Sequence, residues 1–305
     1  MTMPVSSTIP PSWNATSHTV DIGGDVHYVD FGGAESGPPV ILVHGLGGSY
    51  ANWGLLGPRL AVRHRVYALD LVGFGLTFPA GRSGSVHANA ALLSRFAETV
   101  AGEPALLVGN SMGGMISMML AAAQPKRVTG LVLLDPALPR AASSPNDRQV
   151  AAQFLQYAIP GVGERLLERR RLTTPPRQMV AETLALCSPH PERVPAEMID
   201  AAVDLIGERA HGAGLDRAYL QAARSLLRFG ARRRRYLALM RGLSMPVLLL
   251  HGEKDRLVPV QSARAAAANA PEWTFETLPD VGHIPMMEIP DVVDDRIATW
   301  TKAQS

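Results

Sequence analysis

The ten residues Ala105 to Gly114, Ala-Leu-Leu-Val-Gly-Asn-Ser-Met-Gly-Gly, limit what this chain can become more than any other stretch. A continuous apolar run passes at once into Gly109-Asn110-Ser111-Met112-Gly113, and the helix formers Met112 to Gln124 follow. Strand, sharp turn and helix form the setting in which Gly-x-Ser-x-Gly has chemical meaning, because the turn lifts a serine hydroxyl clear of the sheet. The glycines are steric requirements, since a Cβ at either flank would press into neighbouring backbone. With 28 glycines in 305 residues the letters alone carry little, and it is the strand before and the helix after that make the motif. Ser111 is the candidate nucleophile.

The rest of the chain supplies a sheet for that turn. Residues 19 to 31 read as two short strands joined at Gly23-Gly24, an antiparallel hairpin at a sheet edge. Val40 to Val43 is a buried strand ending in the glycine-rich loop His44-Gly45-Leu46-Gly47-Gly48. A helix over Asn52 to Val62, a strand over Val66 to Leu71 and a helix over Ser85 to Ala101 lead to the Ser111 strand, and Val128 to Leu134 is the next strand. This alternation predicts a doubly wound, mostly parallel sheet. It stops near Leu138. From there to Gly242 only helical patterns occur, at Asp147 to Ala158, Gly163 to Leu172, Met179 to Leu186, Pro195 to Ala210 and Asp216 to Leu239. Strands at Met245 to Leu250 and Trp273 to Leu278, with helices at Gln261 to Ala270 and Asp291 to Lys302, then resume the alternation.

A serine hydroxyl is a weak nucleophile and needs a base, itself oriented by a carboxylate. Asp255 follows the strand ending at Leu250, and His283, in Asp280-Val281-Gly282-His283-Ile284-Pro285, follows the last strand. Both fall at the carboxyl edge, where open α/β sheets carry their sites. The order Ser111, Asp255, His283 is the one expected for this type of turn. Asp135 also ends a strand and is the alternative acid. His44 and His251 read as loop buttresses, and Gly73 to Thr77 as a turn, because it has neither the third glycine of a dinucleotide fingerprint nor a P-loop lysine.

With these residues in place the chain resembles the α/β-hydrolase-fold serine hydrolases that carry a helical cap. The resemblance implies a sheet of about eight strands flanked by helices, built from residues 1–139 and 243–305, with an all-helical cap at 140–242. It implies Ser111 as nucleophile, His283 as general base and acid, Asp255 as orienting carboxylate, and the backbone N–H groups of Leu46 and Met112 as oxyanion donors. A serine, where epoxide hydrolases and haloalkane dehalogenases of this fold use a carboxylate, points to an acyl-enzyme and to hydrolysis of an ester, thioester or lactone. The elbow Gly109 to Gly114 is also similar to that of carbon-carbon hydrolases of meta-cleavage products. Against that reading, Ile284 stands where that family has Trp, and Ser49-Tyr50 follows Gly48 where its loop reads Gly-x-Gly-Pro-Gly. A ligand-sensing receptor on the same fold is a third class.

Composition bounds the remainder. The chain is 47% apolar and 18% charged, with net charge +2 and one cysteine, Cys187, so no internal disulfide forms. The polar Met1 to Asn14 carries no secretory pattern, which makes the cytoplasm the expected location. No metal or organic cofactor is expected, because Cys and His do not cluster. Residues 140–242 hold 17 Arg against 10 acidic residues. Within them Arg224, Arg228, Arg232 and Arg235 suggest a basic helix, either a solvated face or a contact with anionic membrane. Nothing accompanies that charge to indicate nucleic-acid binding. Met286 and Met287, beside the base, are candidates to line an apolar pocket for a small-molecule substrate. Oligomeric state is left open.

Overall fold

The computed structural model describes residues 9–34, 37–102, 104–145 and 147–304. Of the polar N-terminal stretch, residues 1–8 therefore lie outside the described residues. Eight strands form one sheet: β1 Thr16–Asp21, β2 Asp25–Asp30, β3 Val40–Val43, β4 Val66–Leu69, β5 Ala105–Asn110, β6 Val128–Leu134, β7 Val247–Gly252 and β8 Thr274–Leu278. Their spatial order is β1-β2-β4-β3-β5-β6-β7-β8. Only β1 with β2 and β2 with β4 are antiparallel; β4 through β8 run parallel. The expected hairpin is present, and its turn is fixed by the Asp21 side chain, which accepts from the N–H groups of Gly23 and Gly24. β3, β5 and β7 are buried along their whole length, as strands covered on both faces must be.

Helices cover both faces. On one, α2 (Val86–Phe96) and α3 (Met112–Ala123) pack with residues of β5 and β6, and on the other α1 (Leu56–Ala61) lies against the C-terminal helix. Between β6 and β7 the described residues form α4 (Arg148–Ala158), α5 (Val162–Thr173), α6 (Pro176–Cys187), α7 (Ala196–Arg209), α8 (Leu215–Ala231) and α9 (Arg233–Arg241), with one 3-10 turn and no strand. α10 (Val260–Asn269), the short α11 (Pro285–Glu288) and α12 (Pro290–Gln304) complete the fold. Among the described residues no helix is long and apolar enough to cross a membrane.

Two expected helices are broken, each for a local reason. The helix expected over Asn52 to Val62 is a 3-10 turn, Tyr50–Trp53, followed by α1. Pro58 has no N–H to give and is tolerated only in a first turn, so α1 begins at Leu56. The helix expected over Asp216 to Leu239 breaks at Arg232, whose ψ of 60° is not helical. The bend turns Tyr236 and Met240 into the core, where the Tyr236 hydroxyl donates to the Ala137 carbonyl at 2.5 Å.

The arginine stripe is thereby divided. Arg224 faces inward, donating to the carbonyl of Tyr157 at 2.9 Å and gripping Glu164, whose pKa falls to about 2 through that hydrogen bond. Arg228, Arg232 and Arg235 are exposed, and Arg235 lies over the Phe229 ring. One continuous basic face does not exist.

Candidate active site

Ser111 sits between β5 and α3 with φ 53° and ψ −117°, a left-handed conformation that costs a residue with a Cβ about 1–3 kcal/mol. Its neighbours hold it there. Ser111 N–H donates to Leu134 O at 3.1 Å, and Ser111 O accepts from Ala137 N at 2.9 Å, so β6 and its exit clamp the turn from both sides. The glycine requirement is borne out: a Cβ on Gly113 would lie 2.0 Å from Val43 O, and one on Gly109 would lie 2.7 Å from the Gly113 backbone. Met112 opens α3, so its N–H has no acceptor within the helix.

The loop after β3 runs alongside. A Cβ on Gly45 would meet the Ser111 Cβ at 3.0 Å, so backbone alone can pass there. Gly48 N closes the loop onto Gly45 O at 3.1 Å, with Gly47 at φ 78°. Leu46 packs towards the β6–β7 helices, against a cluster that includes Tyr157, Tyr219 and Leu220. His44 buttresses the loop as expected. Its Nδ1–H donates to Gly45 O at 2.7 Å and its Nε2 accepts from Leu71 N at 3.1 Å, while burial lowers its pKa and favours this neutral form.

The base and its acid are joined directly. His283 Nδ1 and Asp255 Oδ2 are 2.7 Å apart, and both residues are buried. Asp255 Oδ1 accepts from the N–H groups of Leu257 and Val258 at 2.8 and 2.9 Å. Burial alone would raise this carboxyl's pKa, but the adjacent imidazole and these donors outweigh it and hold it below the ordinary carboxylate value. With Nδ1–H directed at the carboxylate, Nε2 keeps the lone pair a general base requires.

The backbone of His283 is also pinned. Its N–H donates to Cys187 O at 2.6 Å, and its carbonyl accepts from Asn110 Nδ2, one residue before the candidate nucleophile, at 2.9 Å. Gly282 N–H donates to Glu288 Oε1 at 2.9 Å, and Ser188 Oγ donates to Glu288 Oε2 at 2.7 Å. Sequence reasoning found none of Asn110, Cys187, Ser188 and Glu288. Asn110 carried a signal, a polar side chain at the end of a wholly apolar strand. Cys187 contributes only its carbonyl, which no side-chain pattern reveals. Its thiol is pushed up to about 12 by burial, in keeping with a structural role.

Asp135 lies beside this pair without bonding to His283. Its Oδ1 accepts from Gly252 N at 2.8 Å. His251 Nε2–H is committed to Val258 O at 2.7 Å, again a buttress. Oxygens of Asp135 and Asp255 and a ring nitrogen of His283 come within 4.8 Å of one another, close enough for a metal ion. Within that group His283 Nδ1 and Asp255 Oδ2 are already spent on one another at 2.7 Å, and a metal held by those two atoms would have to displace their hydrogen bond. Met286 and Met287 are buried in α11 beside the Tyr50–Trp53 turn, and Asn52 Nδ2 reaches the Met287 sulfur at 3.5 Å.

Comparisons with known proteins agree with this architecture. The chain is 29% identical over 283 residues to a protein of Pseudomonas putida described as the dihydrolipoyllysine-residue acetyltransferase component of an acetoin cleaving system, covering 92% of this chain and 68% of that one. It is 30% identical to the putative carbamate hydrolase RutD of Variovorax paradoxus, over 85% of this chain and 89% of the relative. The crystal structure of wild-type Cfl2 from Burkholderia cenocepacia shares the fold, with a TM-score of 0.81, 24% identity and coverage of 98% and 99%. The model of the family described as alpha/beta hydrolase fold matches residues 38–290, and the chain belongs to that family.

Proposed function

We propose that the protein is a serine hydrolase that cleaves a carboxylic ester, or a related thioester or lactone, of a small to medium apolar substrate through an acyl-enzyme on Ser111. The observation that carries this reading is the left-handed Ser111 at the mouth of β5, one residue from the side chain that pins His283, with His283 in turn bound to Asp255. His283 Nε2 takes the Ser111 proton as Oγ attacks the acyl carbon, and the same proton then goes to the departing alkoxide. Water repeats the sequence and frees the acid. The N–H groups of Leu46 and Met112 receive the oxyanion, each worth about 3 kcal/mol at the transition state. Asp255 stays ionised and holds the imidazole in one tautomer.

Residues 140–242 act as the cap in this proposal. Their Tyr157 and Tyr219 stand 5.4 Å apart and edge to face, and Phe74 lies 6.1 Å from Tyr219, so the site's roof is aromatic and suits an apolar acyl or alcohol group. The carbamate hydrolase description of the Variovorax relative accords with acyl chemistry. No cofactor is needed, because the nucleophile, the base and water suffice.

The test is a ladder of p-nitrophenyl esters and one meta-cleavage dienoate, assayed with wild type and Ser111→Ala. Ester turnover with a burst of nitrophenol, lost in Ser111→Ala, is the expected result. Fast dienoate cleavage with poor ester turnover would transfer the site to carbon-carbon hydrolysis, and no turnover of either would favour a ligand-sensing role.

A further inference from the structure

The site contains a carboxyl that the proposed mechanism does not use. Asp135 is completely buried, adopts the left-handed φ of 45°, and among the described residues no donor reaches its Oδ2, while its side-chain neighbour is the Asp255 carboxyl. A buried, ionised and unpartnered carboxylate oxygen is costly, and a second carboxylate stands next to it. The polar groups around Asp135 are Asp255, His283, His251 and Glu288. His251 Nε2 lies 3.6 Å from Asp135 Oδ1 and 3.5 Å from Asp255 Oδ2, but its proton goes to Val258 O. Among the described residues no Lys or Arg pairs with either carboxyl, so two adjacent carboxylates share one site and cannot both be charged at low cost.

We propose that Asp135 is a second positioning acid of this site: it carries a proton on Oδ2 while Asp255 is ionised, and it takes over the orientation of His283 when Asp255 is lost. Burial first, and then the negative charge of Asp255, hold the Asp135 carboxyl well above its ordinary value. Removing the Asp255 carboxyl removes that repulsion and leaves Nδ1–H without its acceptor. Burial still favours the neutral acid, and it is the hydrogen bond from Nδ1–H, offered to a carboxyl with an oxygen within 4.8 Å of a His283 ring nitrogen, that makes Asp135 the new acceptor. The clamp on Asp135 Oδ1 from Gly252 N leaves Oδ2 as the free arm. This inference rests on His283 being the base.

The experiment compares Asp135→Asn, Asp255→Ala and the double variant by two readouts. One is the rate at which a fluorophosphonate labels Ser111, and the other is the downfield proton resonance of His283 Nδ1–H. Asp255→Ala is expected to keep the resonance and to lose about 10- to 100-fold in rate, against the roughly 10⁴-fold of a mis-set tautomer. Asp135→Asn alone costs a few-fold. The double variant is expected to lose the resonance and far more rate than the product of the two single losses. Loss of the resonance in Asp255→Ala alone, or a double variant no worse than Asp255→Ala, overturns the proposal. Should Asp255→Ala not fold, Asp255→Ser, which keeps a short local acceptor for the Leu257 and Val258 N–H groups and places no amide donor against the ring, supports the same comparison. The resonance needs no substrate, so a resonance that follows this pattern in a protein that turns over no ester would sink the esterase reading and leave this one standing.

Discussion

Among the described residues, a serine, a histidine and an aspartate also meet in a second place besides the proposed site, and the two places differ in their surroundings. In the second, Ser17 Oγ and His27 Nε2 are 2.7 Å apart, and so are His27 Nδ1 and Asp70 Oδ2. All three residues are buried. By distance alone this relay is as well aligned as the His283–Asp255 pair. What it lacks is everything around the serine. Ser17 lies within a regular edge strand and Ser111 in a strained turn at the start of a helix, where amide groups converge and have no acceptor in the helix. Asp70 is occupied differently as well: its Oδ1 accepts from Tyr50 N at 2.7 Å and its Oδ2 from Leu76 N at 2.8 Å, so it ties two loops to the sheet. On the proposed reading, alignment of a hydroxyl, an imidazole and a carboxylate does not suffice for catalysis, and the backbone that presents the hydroxyl is the discriminating feature.

The largest expected effect tests that distinction. Ser111→Ala should lower ester turnover by roughly 10⁴-fold or more, because members of a triad act as a unit. Ser17→Ala should leave turnover unchanged and cost about 1 kcal/mol of stability, the usual loss for one buried hydrogen bond. Steady-state rates and urea unfolding of both variants decide the matter, and a rate defect in Ser17→Ala comparable with that of Ser111→Ala would erase the difference between the two regions.

Stability should rank them the other way. Asp70→Ala takes the acceptor from two buried donors, His27 Nδ1–H and Tyr50 N–H, and from the half-buried Leu76 N–H, at about 1–2 kcal/mol each. The unfolding midpoint should fall by the equivalent of more than about 3 kcal/mol, while turnover per folded molecule stays near wild type. A folded, stable and inactive Asp70→Ala would instead place the second arrangement in the chemistry.

The same contrast explains how much could be read in advance. Ser111 was legible because its constraint shows in neighbouring letters: Gly109 gives way to the Gly113 backbone within the turn and Gly113 gives way to Val43 O of the next strand, and both requirements are written into five consecutive letters. Asp255 and His283 were legible because each closes a strand in a fixed order. The sheet was legible for a similar reason, since β3, β5 and β7 are short, wholly buried and apolar up to their carboxyl ends. Ser17, His27 and Asp70 are scattered over 54 residues and carry no glycine signature, so nothing local announces that they meet. The hold of Cys187 O on His283 N joins positions 96 apart through backbone atoms, which have no alphabet. The break at Arg232 was hidden because four consecutive arginines read as helix, and only the burial of Tyr236 and Met240 turns the chain.

The smallest effect separates the two acids of the active region by the sign of their response to pH. Asp255 has a depressed folded pKa, so its contribution to stability is present above the ordinary carboxylate value and is lost as pH falls through the folded value. Asp135 has a raised folded pKa, chiefly through burial and then through Asp255. Its contribution is complete below the ordinary carboxylate value and is lost as pH rises towards the raised one. Urea unfolding followed from about pH 4 to about pH 8, above the ordinary carboxylate value of ~3.9, should therefore show a stability gap between Asp135→Asn and wild type that moves in the variant's favour as pH increases. Glu288, also raised by burial, is present in both proteins and drops out of the difference. A gap that stays constant over that range would mean that Asp135 is already ionised in the folded chain, which would leave its bare Oδ2 unexplained and remove the distinction between a charged acid and a neutral one on which the two-carboxyl arrangement depends.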